Sequence, residues 1–312
     1  MKKGLKNKVC FQVMILMFIS FHVHAQISME TLEEGILIME NQDSVLFYQS
    51  TPKSIKGEYE RNHYVHPLWN VDGNILTEDF PADHLHQRGV YWAWHQIIVN
   101  GKRTGDGWAL EDFTQEVLST GWEGRDDGSS ALTTRVAWKS NLLTKDDRKM
   151  PYLLESSDII VHPRQSNYRR IDFVIRLEAV SAPVGIGGSE DEKGYSGFSI
   201  RMKLPDDVQF TGREGTITPQ VTAVSSPGYV NVSATFDDDL PGGVVVMDHP
   251  DNPEYPQPWI LRAKKSMQNA AYPGRDVVNI VPGHPLVLKY SLITYTGNLS
   301  ESKIVDIGGM RG

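Results

Sequence analysis

The sequence predicts an all-β protein: a large antiparallel β-sandwich with little helix. Three observations predict it. Beyond residue 25 the apolar residues recur in short alternating runs. Turn-forming Gly and Pro residues punctuate these runs at roughly ten-residue spacing. Few segments carry the apolar repeat of a long amphipathic helix.

The runs come in order. Residues 35–40 (GILIME) and 44–50 (SVLFYQS) open the chain, followed by 90–101 (VYWAWHQIIVNG), 131–138, 157–163 and 169–180. Next come 197–204, 216–221, 229–236, 242–250, 258–263, 277–283 and 285–297. Turns are expected at Asp72-Gly73, Asn100-Gly101, Asp127-Gly128, Pro227-Gly228, Pro241-Gly242-Gly243 and Pro282-Gly283, where glycine reaches positive φ without a Cβ clash. Residues 169–180 alternate longest, which predicts a central strand with one wet face. Residues 299–307 are expected to form a short terminal helix. No repeat or linker appears, so residues 26–312 are expected to form one β-sandwich domain.

Residues 1–25 have the composition of a cleavable export signal. A basic start (MKKGLKNK) precedes the apolar run 9–21, and Val23 and Ala25 supply small residues before Gln26. The run is short for a membrane span, so the protein is expected to be exported and periplasmic. Losing Lys2, Lys3, Lys6 and Lys8 would take the formal charge from −8 to about −12, which argues against a nucleic-acid partner. The single cysteine, Cys10, lies in the same stretch, so residues 26–312 have no thiolate for catalysis or metal binding.

Five of the ten histidines lie between His63 and His95, among Glu78, Asp79, Asp83, Arg88, Tyr64, Tyr91, Trp69, Trp92 and Trp94. Proton carriers, a fixed cation and flat aromatic faces in one stretch suit a polar ligand such as a sugar. In a strand, His84, His86 and Arg88 would share one face. Three uses follow. An imidazole could act as base beside a guanidinium that holds a carboxylate. Both histidines could bind a divalent metal with a third ligand from elsewhere. Or Arg88 could pair with Asp83 in a purely structural corner. Trp92 and Trp94 share a face that is either core or a sugar platform. His66 could face the same site; His249, in the loop after the apolar run 244–247, is a second catalytic candidate. Glu192, in an acidic glycine-rich loop, and Arg262 could close the rim.

These residues resemble the PmoA-like family of exported bacterial proteins. The similarity runs through His66-Pro67-Leu68, Asp79-Phe80-Pro81 and Asp83-His84-Leu85-His86-Gln87-Arg88-Gly89, then Gly197–Arg201, Asp248–Pro253 with Pro258-Trp259, and Pro282-Gly283-His284. It implies a supersandwich like that of sugar mutarotases and a place in polysaccharide-degradation systems. It also marks His84, His86, Arg88 and His249 as motif positions. Where that family usually has His-His-Arg-Gly, this chain has His86-Gln87-Arg88-Gly89.

The expected function is a periplasmic carbohydrate-active enzyme, a lyase or dehydratase acting on an acidic oligosaccharide without a cofactor. His86 or His249 would abstract the proton α to a uronic carboxylate. Arg88 would neutralise that carboxylate, and the other histidine or Tyr91 would protonate the departing oxygen. His66, His84, Trp92, Trp94, Glu192 and Arg262 would contact substrate. The alternatives are an aldose epimerase, perhaps with Glu192 as base, a glycosidase drawing on Glu78, Asp79 and Glu192, and a non-catalytic sugar-binding protein.

Overall fold

The computed structural model describes residues 26–236, 240–265 and 267–309; the expected export signal, 1–25, lies outside them. Two large antiparallel sheets dominate. The first runs, in spatial order, Ile27–Thr31, Gly35–Glu40, Asp43–Gln49, Tyr64–Leu68, Val90–Trp94, Ser196–Ile200, Gln268–Ala270 and Trp259–Ile260. The second runs Thr114–Gly124, Ser130–Lys145, Arg148–Val161, Tyr168–Ala179, Leu286–Thr296, Pro241–Asp248, Tyr229–Thr235, Gln209–Gly212 and Gly215–Thr216. A third sheet joins Val278–Ile280, Val184–Gly187, Gln96–Val99 and Lys102–Gly105, and Lys53–Ile55 pairs with Glu58–Arg61 as a hairpin.

Alternation decides which residues face inward. Trp92, Trp94 and Phe198 from the first sheet meet Trp138, Phe173 and Tyr290 from the second. Phe198 stacks on Tyr290 at 4.6 Å and meets Phe173 at 5.1 Å, while Trp94 lies 5.8 Å from Trp138. Each such pair adds about 0.5–1.5 kcal/mol beyond the area it buries. The protein is therefore the expected all-β sandwich. Tyr168–Ala179 is central in the second sheet, with strictly alternating burial over its first eight residues.

The helix Glu301–Ile307 also forms, with the Ser300 hydroxyl accepting from the Lys303 amide. Its Ile304 packs on Tyr229, Val245, Met247, Ile293 and Tyr295, covering part of the second sheet's outer face.

Two runs differ from expectation. Of residues 216–221, only Thr216 is in a strand. The run 90–101 is two strands: Val90–Trp94 pairs with Ser196–Ile200 in the first sheet, and Gln96–Val99 pairs with Val184–Gly187 in the third. The change of sheet falls on His95.

Candidate functional site

The first sheet's outer face is polar and aromatic. Opposite the inward Trp92 and Phe198, Tyr91 and Ala93 point outward and pair across strands with Ser199 and Gly197; Ser199 in turn pairs with Asn269. Tyr64, Tyr91, Ala93, Trp108 and Met267 form a buried cluster there, with Tyr195 packed against it. Gly197 has φ +84°, and a Cβ on it would stand 2.4 Å from Ala270 O, so the close strand approach at this face requires glycine.

Residues 81–88 form successive turns, not the strand expected for His84–Arg88. Arg201 imposes this: its guanidinium donates to both Asp83 oxygens (3.0 and 2.8 Å), to Glu78 Oε2 (2.8 Å) and to Gln87 Oε1 (2.8 Å). His84 and His86 meet edge to face at 5.7 Å. His84 Nδ1 donates to Asp83 Oδ2 at 2.7 Å. No set of three or more His, Cys, Asp or Glu side chains able to hold a metal occurs among the described residues.

Arg88 is sealed, with 0% exposure. It donates to Asp79 Oδ1 (3.1 Å), Tyr64 Oη (3.2 Å) and the carbonyls of Lys53 (3.2 Å), Tyr59 (2.5 Å) and Leu85 (3.3 Å), and its guanidinium lies 3.2 Å from the centre of the Phe80 ring. A guanidinium with its donors so engaged has nothing left for a substrate carboxylate. The expected role for Arg88 is corrected: it fastens the 53–59 hairpin to the 79–88 turns.

The tryptophans are corrected likewise. Both are buried in the core, with Trp92 Nε1 donating to Glu155 Oε1 and Trp94 Nε1 to Tyr272 O, each at 2.9 Å, so neither offers a sugar platform. Tyr91 is fully buried on the outer face, and burial pushes its phenol above the usual tyrosine range, so it keeps its proton. His66 bonds Thr77 Oγ1 at 2.9 Å, and burial lowers it to about 4. His249 lies apart from this cluster, in a turn where its Nδ1 accepts from the Asp251 amide at 3.1 Å. Glu192 is exposed. Arg262 donates to Tyr195 Oη (2.7 and 3.0 Å) and to the carbonyls of Gln220, Leu261 and Val221. With Tyr195 and Lys193 it lines a cleft of about 430 Å³. The carboxylates of Glu78 and Asp79 are tied to Arg201 and Arg88, which leaves no free glycosidase pair between them.

What the fold brings together is a different set. His95 Nδ1 donates to Asp106 Oδ2 at 2.8 Å. Asp106 Oδ1 accepts from the amides of Trp108 (2.9 Å) and Ala109 (2.7 Å), which fixes the carboxylate. The His95 ring stacks on Trp108 at 5.4 Å, and Trp108 meets Tyr195 at 5.6 Å. The His95 side chain is 22% exposed. His86 is near: burial, then the charges of Arg61, His84 and His95, lower it to about 4, leaving it uncharged at neutral pH.

His95 was legible as one of a histidine-rich group. Asp106 was not; its only sequence signal is the Asp106-Gly107 turn after the strand Lys102–Gly105.

Residues 36–307 match the family described as "Family of unknown function (DUF6807)". The chain belongs to the DUF6807 family. No curated protein matches this DUF6807 chain. Among solved structures, a heparinase III gene product is similar at 8% identity and TM-score 0.35, over 87% of this chain and 36% of that one. The chain thus spans about a third of that protein's length. No helix among the described residues is long and apolar enough to cross a membrane.

Proposed function

We propose that this protein is an exported carbohydrate-active enzyme that transfers a proton at a sugar carbon, eliminating water or a sugar from a uronic-acid-containing oligosaccharide. The observation that carries it is the His95–Asp106 dyad. With Nδ1–H donated to a carboxylate held by two amides, His95 presents the Nε2 lone pair as base. Asp106 then stabilises the imidazolium, which can return its proton to the departing oxygen. His86, uncharged and partly exposed, accepts from or donates to substrate hydroxyls. The half-buried Tyr195 ring and the cleft it lines with Arg262 and Lys193 suit a sugar ring. The sugar class and the export rest on the PmoA-like resemblance and on the composition of residues 1–25.

One observation favours a second reading, aldose epimerisation of neutral sugars by the same dyad. Arg88, the cation expected to hold a uronic carboxylate, is sealed.

One experiment in heavy water tests both, with uronic oligosaccharides and neutral aldoses as substrates. Elimination gives an unsaturated, ultraviolet-absorbing product. Epimerisation gives no such absorbance: through an enediol it places deuterium on the carbon beside the carbonyl, and at the anomeric carbon it speeds interconversion of the α and β forms. If no such signal appears with any sugar, or if the signals persist undiminished in His95→Ala, the dyad is not a proton-transfer site on sugars.

A further inference from the structure

Six of the seven tryptophans pack into the hydrophobic clusters, and Trp69 alone does not. It follows the strand Tyr64–Leu68, where its amide donates to Val45 O at 3.0 Å and it forms a bridge to Ile75. The residue is half-buried and lines an open cleft of about 440 Å³ with Gln42, Asp43, Ser44, Asp72 and Arg164. That volume lies in the range of small-molecule sites.

Turns from both large sheets build this cleft, and buried groups fix it. Glu40, 4% exposed, accepts from the Arg164 amide (3.1 and 3.2 Å) and from Arg169 (2.6 Å). It thereby joins the turn after Gly35–Glu40 to the turn before Tyr168–Ala179. Asn70 Oδ1 accepts from the amides of Asp72 (3.1 Å) and Asn74 (2.8 Å), which sets the Asp72-Gly73 turn. Arg164 donates to Val71 O (2.5 Å), Asp72 Oδ1 (3.4 Å) and Ser166 O (2.9 Å), so N–H groups of its guanidinium remain for a ligand. The side chains of Gln42, Asp43, Ser44 and Trp69 make no hydrogen bond among the described residues.

A pyranose ring has apolar C–H faces that lie on an indole and a rim of hydroxyls that both donate and accept. Asp43 and Asp72 supply acceptors for that rim, Arg164 supplies donors, and Gln42 and Ser44 supply both. Two carboxylates against one guanidinium disfavour an anionic ligand.

We infer that the Trp69 cleft is a carbohydrate-binding site in its own right, taking a neutral sugar residue of an oligosaccharide on the indole. Val65 pairs with Val90 across antiparallel strands, and Trp69 and His95 lie on opposite sides of that pair. At the rise of a strand they stand roughly 25–30 Å apart. The cleft therefore anchors a chain at a distance from the dyad, and the inference stands on its own residues.

The test is isothermal titration calorimetry of the full chain with cellotetraose, xylotetraose, mannotetraose and maltotetraose, and with tetragalacturonate as the anionic counterpart. At least one neutral tetrasaccharide is expected to bind. Trp69→Ala is expected to weaken it at least ~10-fold, and Trp69→Tyr, which keeps a flat ring, to stay within ~3-fold. Asp43→Ala alters an exposed side chain with no hydrogen bond to lose, so it keeps the test open if Trp69→Ala fails to fold. It is expected to weaken the same sugar by ~3–10-fold. The inference is overturned if no neutral tetrasaccharide binds, or if binding is undiminished in Asp43→Ala and in a folded Trp69→Ala. Tetragalacturonate bound through Trp69 more tightly than every neutral sugar overturns it too. If a neutral sugar binds through Trp69 and no sugar is turned over, the inference stands and the enzymatic reading fails.

Discussion

His63 Nε2 in the first sheet's layer donates to Glu155 Oε1 in the second at 2.6 Å, and both side chains are fully buried. Tyr48 donates to His63 Nδ1 at 2.7 Å. The indoles of Trp92 and Trp138 donate to the two Glu155 oxygens at 2.9 Å, and the Ser157 hydroxyl adds a further bond. One carboxylate thereby gathers donors from both sheets. Burial alone would raise its pKa; His63 and the hydroxyl and indole donors outweigh that and hold it below the ordinary 4.5.

Replacing that carboxylate is expected to loosen the sandwich. Glu155→Gln must present an amide NH₂ to at least one donor, so it should cost about 3 kcal/mol or more of unfolding free energy. Urea denaturation measures this. A loss under about 0.5 kcal/mol, the size of a neutral surface change, would mean the network contributes little to joining the sheets.

Stability should fall with acid in two separate windows. His66 and His86 have folded pKa values near 4, below the free value of 6.5. The unfolded chain therefore binds protons first, and their contribution, up to about 3 kcal/mol each, is complete above 6.5 and lost as pH falls toward 4. Glu155, also depressed, adds a loss below the ordinary 4.5. Urea midpoints across pH 7 to 4 should drop less steeply for His86→Gln than for the unmutated chain. Parallel curves would rule out His86 as a group buried in its neutral form.

Arg88→Ala should behave as a folding variant. It removes the buried partner of Asp79, leaving Lys53 at 3.1 Å, and frees the carbonyls of Lys53 and Tyr59, for a loss of about 3–5 kcal/mol. The neighbouring Gly89 has φ +34°, and a Cβ there would stand 1.9 Å from Val65 O, so Gly89→Ala should destabilise by at least about 2 kcal/mol. Thermal melts of both variants decide it; an unchanged melting temperature for Arg88→Ala, with binding lost, would restore Arg88 as a ligand contact.

Activity should follow the dyad. On whichever sugar is turned over, His95→Ala and Asp106→Asn should each lower kcat by about a hundredfold to ten-thousandfold. His249→Ala, in a turn of its own, should stay within about twofold. Equal losses from His95→Ala and His249→Ala would require a site the present geometry does not form.

The sandwich was legible because its strands alternate between turn residues: Gly35–Glu40 and Leu286–Thr296 lie almost where the apolar runs place them. Thr114–Gly124 escaped notice because it has no buried face, every residue being half-buried or exposed. His84–Arg88 mimics a strand, since polar and apolar residues alternate there, yet Arg201, just past the strand Ser196–Ile200, ties it into turns. The histidine-rich segment that holds the proposed site stands out in the sequence; the contacts within it do not. Whether an arginine meets a ligand or a carbonyl depends on contacts such as Arg88 with Tyr59 O and Arg61 with Gly107 O, which sequence spacing does not encode.

The change of sheet at His95 makes this residue a seam. On one side Trp94 is paired with Ser196 and locked into the aromatic core; on the other Gln96 is paired with Gly187 in the third sheet. Arg103 reaches across to donate to His95 O (3.0 Å) and to Glu190 (3.1 Å), so the acidic loop hangs from the seam, not from the sandwich. Residues 109–112 and 189–194 can therefore diversify without disturbing the His95–Asp106 pair or the load that Trp94 and Phe198 bear. Related chains would be expected to keep the stitching and retailor the opening, giving one scaffold a wardrobe of ligands.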